Sequence, residues 1–401
     1  MEKLIGSILL IVGTCIGSGM IALPMVLAKI GLIPSIILMF IIWFLMYYTS
    51  LINLELNLQA GKGLALGRLG RYFSGRIAEI IGMVNLKILL YALLAVFIYG
   101  GSSIIQNLLS LDISIVYIGA WYAVISILVL LLPLKLIDYI NRLLFIGILI
   151  VIAILIIGLI AMIKWYNLPL FSSRYKEILV WSEITPVVFT SFGFQVIFHT
   201  LTNYCNKNAR TLKLAFLFGT LIPAIVYIIW TCSVLTVIHH ENPVFYQQMV
   251  VGNVEVGELV KELSSIAKWQ SVQLLVWIIS TLAIATSVIG VGVGLCDSLK
   301  VSFSNLKCNS RIRDIIAAST TILPAYIVTI LIPNAFITVL GFAGMILVII
   351  AILLPAYLLY KAKIKNFYYP ELKKKYLIFI SVIIGIFIMG YELTNTIIGI
   401  L

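Results

Sequence analysis

The sequence predicts an all-α integral membrane protein with eleven transmembrane helices, and three observations carry that expectation. Of its 401 residues 62% are hydrophobic and 10% charged, with a mean hydropathy of +1.16. Soluble domains carry about 25% charged residues, so this much apolar surface has no soluble core to fill. The apolar residues fall in runs near 4–27, 33–58, 82–106, 114–133, 143–163, 184–203, 214–238, 271–296, 314–332, 335–359 and 376–400. Most are close to the roughly 20 residues a spanning helix needs, and none has the alternation of a barrel strand. Third, the charge is lopsided. With the N-terminus inside, only Lys29, Lys164, Arg174, Lys176, Lys261 and Lys268 lie outside, which leaves 21 of the 27 basic residues inside. That positive-inside bias accounts for the net charge of +12 through the lipid bilayer and without a nucleic-acid partner. The C-terminus then lies outside.

Taken in order, span one follows Lys3 and looks superficially like a signal peptide. The run is too long and no A-x-A-like site closes it, so an uncleaved span is expected. Within it, residues 13–24 read GTCIGSGMIALP. Gly costs a helix interior about 1 kcal/mol relative to Ala, and Pro about 3. Non-helical backbone at membrane depth is tolerated only where it lines a cavity or is buried in protein. Unwinding over 13–19 would free N–H groups for a carboxylate and carbonyls for a cation or ammonium, with a half-helix N-terminus adding a positive dipole end. Gly13, Thr14, Cys15, Ile16, Gly17, Ser18 and Gly19 are therefore candidate substrate ligands. The competing reading is close helix packing through the Gly13–Gly17 spacing.

The connection 59–81, between spans two and three, is inner and basic and long enough to have structure. Span six carries the second weak point, with Pro186, then Phe189, Thr190, Ser191, Phe192, Gly193, Phe194 and Gln195, then His199. Five spans separate the two breaks. Ten spans then form two five-helix halves, 1–163 and 178–360, inverted relative to one another, and 361–401 adds an inner loop and the eleventh helix to a single membrane domain. Paired Gly-interrupted spans in corresponding positions point to a transporter binding site. In the outer connection 239–270, Val256, Leu259, Val260, Leu263 and Ile266 have helical spacing and predict a surface helix over Val254–Trp269.

The stretches GTCIGSGMIALP, FTSFGFQ, YALLAVFIYGGSS (91–103) and TSVIGVGVGLCDSL (286–299) resemble the aromatic amino acid permeases of the hydroxy and aromatic amino acid permease family, over nearly the whole chain. The resemblance implies a leucine-transporter-like inverted repeat in the amino acid–polyamine–organocation superfamily, with substrate held by broken helices one and six. It also implies proton-coupled uptake of tyrosine, tryptophan or, in one branch, serine and threonine, in a bacterial inner membrane. One departure is local. Family members often carry a His-Gly pair after the SFGF stretch, where this chain reads Gln195-Val196, with His199 four residues on.

Polar residues inside spans need a reason. Thr286 and Ser287 match by motif the hydroxyl pair that holds sodium in coupled relatives, with Gly13 and Ile16 supplying carbonyls; alternatively they back-bond to their own helix. Tyr99 is placed to reach a substrate carboxylate. Phe189, Phe192 and Phe194 form an aromatic wall or simply pack. His199 and Glu55 are the candidate proton carriers, unless His199 is structural and Glu55 faces inner Arg or Lys. Glu392, outside the repeats, suits a structural role. Lys3 and Asp297 are a candidate inner gate. No cofactor is expected and no metal site beyond the sodium one; the five cysteines have no C-x-x-C spacing. A membrane enzyme would need a convergent catalytic set, and no H-E-x-x-H or G-x-S-x-G appears.

Overall fold

The computed structural model describes residues 2–162, 166, 168–266, 270–303, 309–332 and 335–400. Of Ser18 only the backbone is described, and Lys164, Lys268, Lys307 and Cys308 lie outside the described residues. Among the described residues there is no strand, and helices cover each apolar run. In order they are α1 (Glu2–Cys15), α2 (Ser18–Leu27), α3 (Leu32–Gln59), α4 (Leu66–Ser74), α5 (Arg76–Leu108), α6 (Ile115–Leu130), α7 (Leu134–Met162), α8 (Ile178–Ser191), α9 (Phe198–Tyr204), α10 (Ala209–Glu241), α11 (Pro243–Val251), α12 (Val256–Ile266), α13 (Gln270–Ser302), α14 (Ser310–Leu331), α15 (Ala335–Val348), α16 (Leu354–Lys361) and α17 (Lys375–Ile400).

Among the described residues eight helices are long and apolar enough to cross a membrane, or nine if the bent pair α1–α2 is one span. Eleven crossings were expected. The shortfall is partly one of length: α6 has 16 residues, about 24 Å at 1.5 Å per residue, against a hydrocarbon core of about 30 Å. The exposed faces are those of a membrane protein. α17 turns Tyr376, Phe379, Ile380, Ile383, Ile386 and Phe387 outward at helical spacing, a stripe that water would penalise and lipid would not.

α5 runs through the middle of the bundle against α13, α14 and α15. Its sequence allows this because residues 92–103 are rich in Ala, Gly and Ser. A Cβ on Gly100 would stand 2.7 Å from the Phe336 ring, and one on Gly101 2.7 Å from the Tyr122 ring, so both glycines are needed for close approach. Between α15 and α16 the helix widens into a π turn at Ile349–Leu353. Pro355 follows, and its ring cannot accept a normal α-helical turn before it.

Two connections are more structured than their sequences suggested. The 59–81 connection contains α4, which lays Gly67, Leu69 and Gly70 against α5. On the face opposite the N-terminus, α12 forms where the apolar spacing predicts it, burying Val256, Leu259, Val260 and Leu263. α11 precedes it, capped by the Asn242 side chain on the Phe245 N–H, with Pro243 in its first turn. Gly252, at φ +95°, makes the left-handed turn between them.

Candidate functional site

The first break is shorter than the glycines implied. α1 stays helical through Gly13 and Thr14 to Cys15, and only Ile16 and Gly17 leave the helix before α2 starts at a 53° bend. Gly13 alone does not unwind the chain, because a glycine in a helix costs less than an unmade backbone hydrogen bond in an apolar medium. The Thr14 hydroxyl bonds back to the Leu10 carbonyl at 2.5 Å. At Gly17 the chain is extended, with φ −162° and ψ −146°, and the opening amides of α2 at Ser18 and Gly19 lack partners in their own helix.

The second break falls where Gly193 predicted it. α8 ends at Ser191, residues Phe192 to Phe194 are non-helical, and one 3-10 turn, Gln195–Ile197, leads into α9. The Gln195 side chain closes the gap by accepting the Phe194 N–H at 2.8 Å. Thr190 donates to the Pro186 and Leu340 carbonyls, at 2.7 and 3.0 Å.

The two breaks face each other. The Ser191 hydroxyl lies 3.3 Å from the Gly19 carbonyl, and a Cβ on Gly19 would stand 3.0 Å from Ser191 Cα. Sequence reasoning missed what holds them: α10, packed along α1 and α2. Its buried Tyr227 hydroxyl reaches the Cys15 carbonyl at 2.5 Å and the Ser191 carbonyl at 2.8 Å, one at the end of each broken helix. Trp230 donates its indole N–H to the Met20 carbonyl at 2.9 Å. The aromatic stretch packs against the same helix. Phe189, Phe192 and Phe194 are fully buried, Phe192 edge-on to Tyr227 at 5.2 Å and Phe194 against Phe216 at 5.6 Å.

Gly17 also meets α13. A Cβ there would stand 2.7 Å from the Ser287 hydroxyl, which places Ser287 beside the first break. Thr286 donates to the Leu282 and Ala283 carbonyls and Ser287 to Ala283 at 2.7 Å. Both back-bond within α13, which leaves their oxygen lone pairs turned outward from that bond.

The remaining candidates are dispersed. His199, beside the Thr200 hydroxyl at 3.4 Å, lines a cavity of about 40 Å³ with Asn53, Asn57, Gln195 and Phe198. That space suits water, not an amino acid. Glu55 is completely buried, and its carboxylate accepts from Gln59 Nε2 at 2.7 Å and from the Tyr368 and Tyr369 amides at 3.1 and 3.0 Å. Its partners are amides of the loop before α17, not Arg or Lys. Lys3 and Asp297 are both exposed and no ion pair joins them; on that face Lys300 pairs with Asp314 at 3.2 Å. Glu392 is buried against α15, where a Cβ on Gly341 would meet its carboxylate at 2.9 Å.

At the opposite face the broken helices are stapled by a pair that no sequence signal announced. Lys29, just beyond α2, bonds Glu183 of α8 at 2.6 Å. The α11–α12 turn covers it, since a Cβ on Gly252 would sit 2.9 Å from Lys29 Nζ. Tyr99 is buried. Its hydroxyl donates to Glu255 at 2.9 Å.

Residues 1–392 match the tryptophan/tyrosine permease family. The chain belongs to that family. It is 31% identical over 367 residues to the tyrosine-specific transport system 1 of Haemophilus influenzae, covering 90% of this chain and 89% of the relative. It is 30% identical to the tryptophan-specific transport protein of Pseudomonas aeruginosa, covering 92% and 88%. It is also 28% identical to glutamine transporter 2 of Aliivibrio fischeri, covering 88% and 87%. The permease is thus a multi-pass membrane transport protein by family. Its two breaks face one another and are clamped by one tyrosine.

Proposed function

We propose that this permease is a secondary active importer of aromatic amino acids, tyrosine or tryptophan, working by alternating access across the bacterial inner membrane. The observation that carries the reading is the facing pair of helix breaks, with Ser191 against Gly19 and Tyr227 bonded to both. The tyrosine- and tryptophan-specific relatives supply the substrate class. In this reading eleven spans are arranged as two inverted five-helix halves plus α17, with the N-terminal face cytoplasmic and the C-terminus periplasmic. The amides at Ser18 and Gly19 and the Tyr99 hydroxyl receive the substrate carboxylate. The carbonyls of Gly13 and Ile16 receive its ammonium. Thr190, Ser191, Gly193 and Gln195 frame the pocket, and Phe189, Phe192 and Phe194 back it. Lys29–Glu183 and the covering hairpin make this conformer one that is closed on the periplasmic side.

Coupling to protons is the first reading, with His199 the candidate carrier because an imidazole titrates near neutral pH and because it follows the second break directly. Sodium coupling is the second, favoured by the contact of Gly17 with Ser287. Equilibrium binding to the purified protein tests the substrate assignment. Labelled tyrosine or tryptophan should be displaced by either aromatic and not by lysine or glutamate, because a pocket without a fixed charge cannot neutralise a charged side chain cheaply. Displacement by glutamine, serine or threonine in preference to the aromatics would overturn it.

A further inference from the structure

The periplasmic hairpin is built to place one half-buried carboxylate against α5. α12 starts at Val256, and the Glu255 N–H ahead of it is capped by Glu258 Oε2 at 2.9 Å. That is half of a capping box. The Glu255 side chain is therefore not used on its own helix. It reaches α5, where Tyr99 donates to Oε1 at 2.9 Å and Ser103 lies 3.3 Å from Oε2. The Ser103 oxygen in turn accepts the Gly257 N–H at 3.1 Å. Gly257 permits the approach: a Cβ there would lie 2.3 Å from the Ser103 carbonyl and 2.4 Å from Asn107 Nδ2.

The depth of Tyr99 matters. Its neighbour Gly100 lies against Ile284 of α13, and one helical turn along α13 Ser287 lies against Gly17. Gly17 also approaches the Ala283 carbonyl at 4.0 Å, so Tyr99 sits within about one turn of the level of the first break. On its other side Glu255 lines a cavity of about 460 Å³ with Gln106, Asn107, Asp112, Glu258 and Lys261. The Tyr99–Glu255 bond stands between that cavity and the break.

We propose that Glu255 is an internal stand-in for the substrate carboxylate, a positioning residue that holds the periplasmic hairpin closed by occupying Tyr99. The inference rests on the reading of Tyr99 as a substrate ligand. A phenol has one O–H to donate and a carboxylate only accepts. Unlike the two neutral carbonyls that share the Tyr227 proton, two carboxylates drawn to the one Tyr99 proton carry like charge and repel, so Glu255 and an incoming amino-acid carboxylate compete for it. Loading from the periplasm then exchanges one carboxylate for another of the same chemistry. The hairpin is released when the substrate arrives, and recloses on Tyr99 once the substrate has left. Occupation of Tyr99 by Glu255 lowers the fraction of molecules competent to bind, and the apparent affinity falls by that fraction.

The test is initial-rate uptake of labelled tyrosine or tryptophan by the full chain in proteoliposomes, with Glu255→Gln, Glu255→Asp, Tyr99→Phe and the Glu255→Gln/Tyr99→Phe double variant. A neutral amide accepts more weakly than a carboxylate, and Asp withdraws the charge by one methylene. Both Glu255 variants should lower the half-saturation concentration, by roughly three- to tenfold if the latch holds most molecules closed. Tyr99→Phe should raise it, and Glu255→Gln should then have no further effect. If Tyr99→Phe raises half-saturation while both Glu255 variants match wild type, the stand-in role is overturned and the Tyr99 ligand stands. If Tyr99→Phe lowers it as the Glu255 variants do, Tyr99 is a latch alone, and both the ligand assignment and the stand-in role fall. Additive effects in the double variant also overturn the proposal. Glu255→Asp keeps the charge and serves where the amide variant does not fold.

Discussion

Replacing Tyr227 by Phe tests how the two breaks are held. The ring keeps its place in the core and its edge contact with Phe192 at 5.2 Å, so the variant removes a hydroxyl and little packing. That hydroxyl serves the Cys15 and Ser191 carbonyls at 2.5 and 2.8 Å. Both carbonyls lie in the last turn of a helix that stops, where no intrahelical N–H follows. Stranding a buried acceptor costs about 1–3 kcal/mol, whereas hydrogen bonds between membrane helices average about 0.6 and reach about 1.7 kcal/mol in double-mutant cycles. Two carbonyls share one proton here, which puts the loss near the top of the membrane range, about 1.5 kcal/mol, or roughly tenfold in an equilibrium constant. The assay is paired: the apparent melting temperature of purified protein in nanodiscs, and uptake in proteoliposomes well below that temperature. The variant is expected to melt a few degrees lower and to transport about tenfold more slowly. Wild-type values in both would refute the claim that Tyr227 couples the breaks.

Gly19→Ala is expected to reduce uptake and Gly19→Leu to abolish it without blocking membrane insertion, because a Cβ meets Ser191 at 3.0–3.1 Å; full uptake by the Leu variant contradicts the close approach. Glu55→Gln turns one of its accepting oxygens into a donor facing an N–H and should lower stability by about 1–3 kcal/mol, read as a lower melting temperature; an unchanged melting temperature with loss of pH-driven uptake would instead mark Glu55 as a proton carrier. Burial pushes the Glu371 carboxyl up, but its bond to Lys213 and the nearby Lys374 hold it below the ordinary carboxylate range. A carboxyl lowered on folding stabilises above its unfolded value, about 4.3, and loses that contribution as pH falls through the folded value. The 362–374 loop should therefore be cut by protease faster at acid pH than at pH 7, and equal rates would contradict this. His199→Ala should weaken the pH dependence of uptake, measured across a range of external pH; an unaltered profile clears His199.

The neighbourhood of both breaks was legible because glycine and proline act locally on a helix. Their extent was less so. Gly193 marks the second break to the residue, but Gly13 stays helical, since one glycine does not outweigh a backbone bond in an apolar medium. α12 followed from spacing, and α11 was also readable, from Asn242 as a cap and Pro243 behind it. The clamps were not. Tyr227 is one of 20 tyrosines, and nothing near it in the chain marks it as the partner of Cys15 and Ser191. Lys29–Glu183, Tyr99–Glu255 and Glu55 with the Tyr368–Tyr369 amides likewise join residues more than a hundred positions apart. Pairings of that kind are fixed by the packed bundle, and local propensity carries no trace of them.

Uptake of labelled tyrosine and tryptophan by the purified permease in proteoliposomes, driven by an inwardly directed pH gradient in sodium-free buffer, tests the central claim most directly. Accumulation of at least one of the two above the external concentration is expected, collapsing when the gradient is dissipated. Accumulation only after a sodium gradient is imposed would transfer the coupling ion to the site beside Gly17, Thr286 and Ser287. Uptake that merely equilibrates under both gradients, or no uptake of either aromatic amino acid, would contradict secondary active transport by the paired breaks.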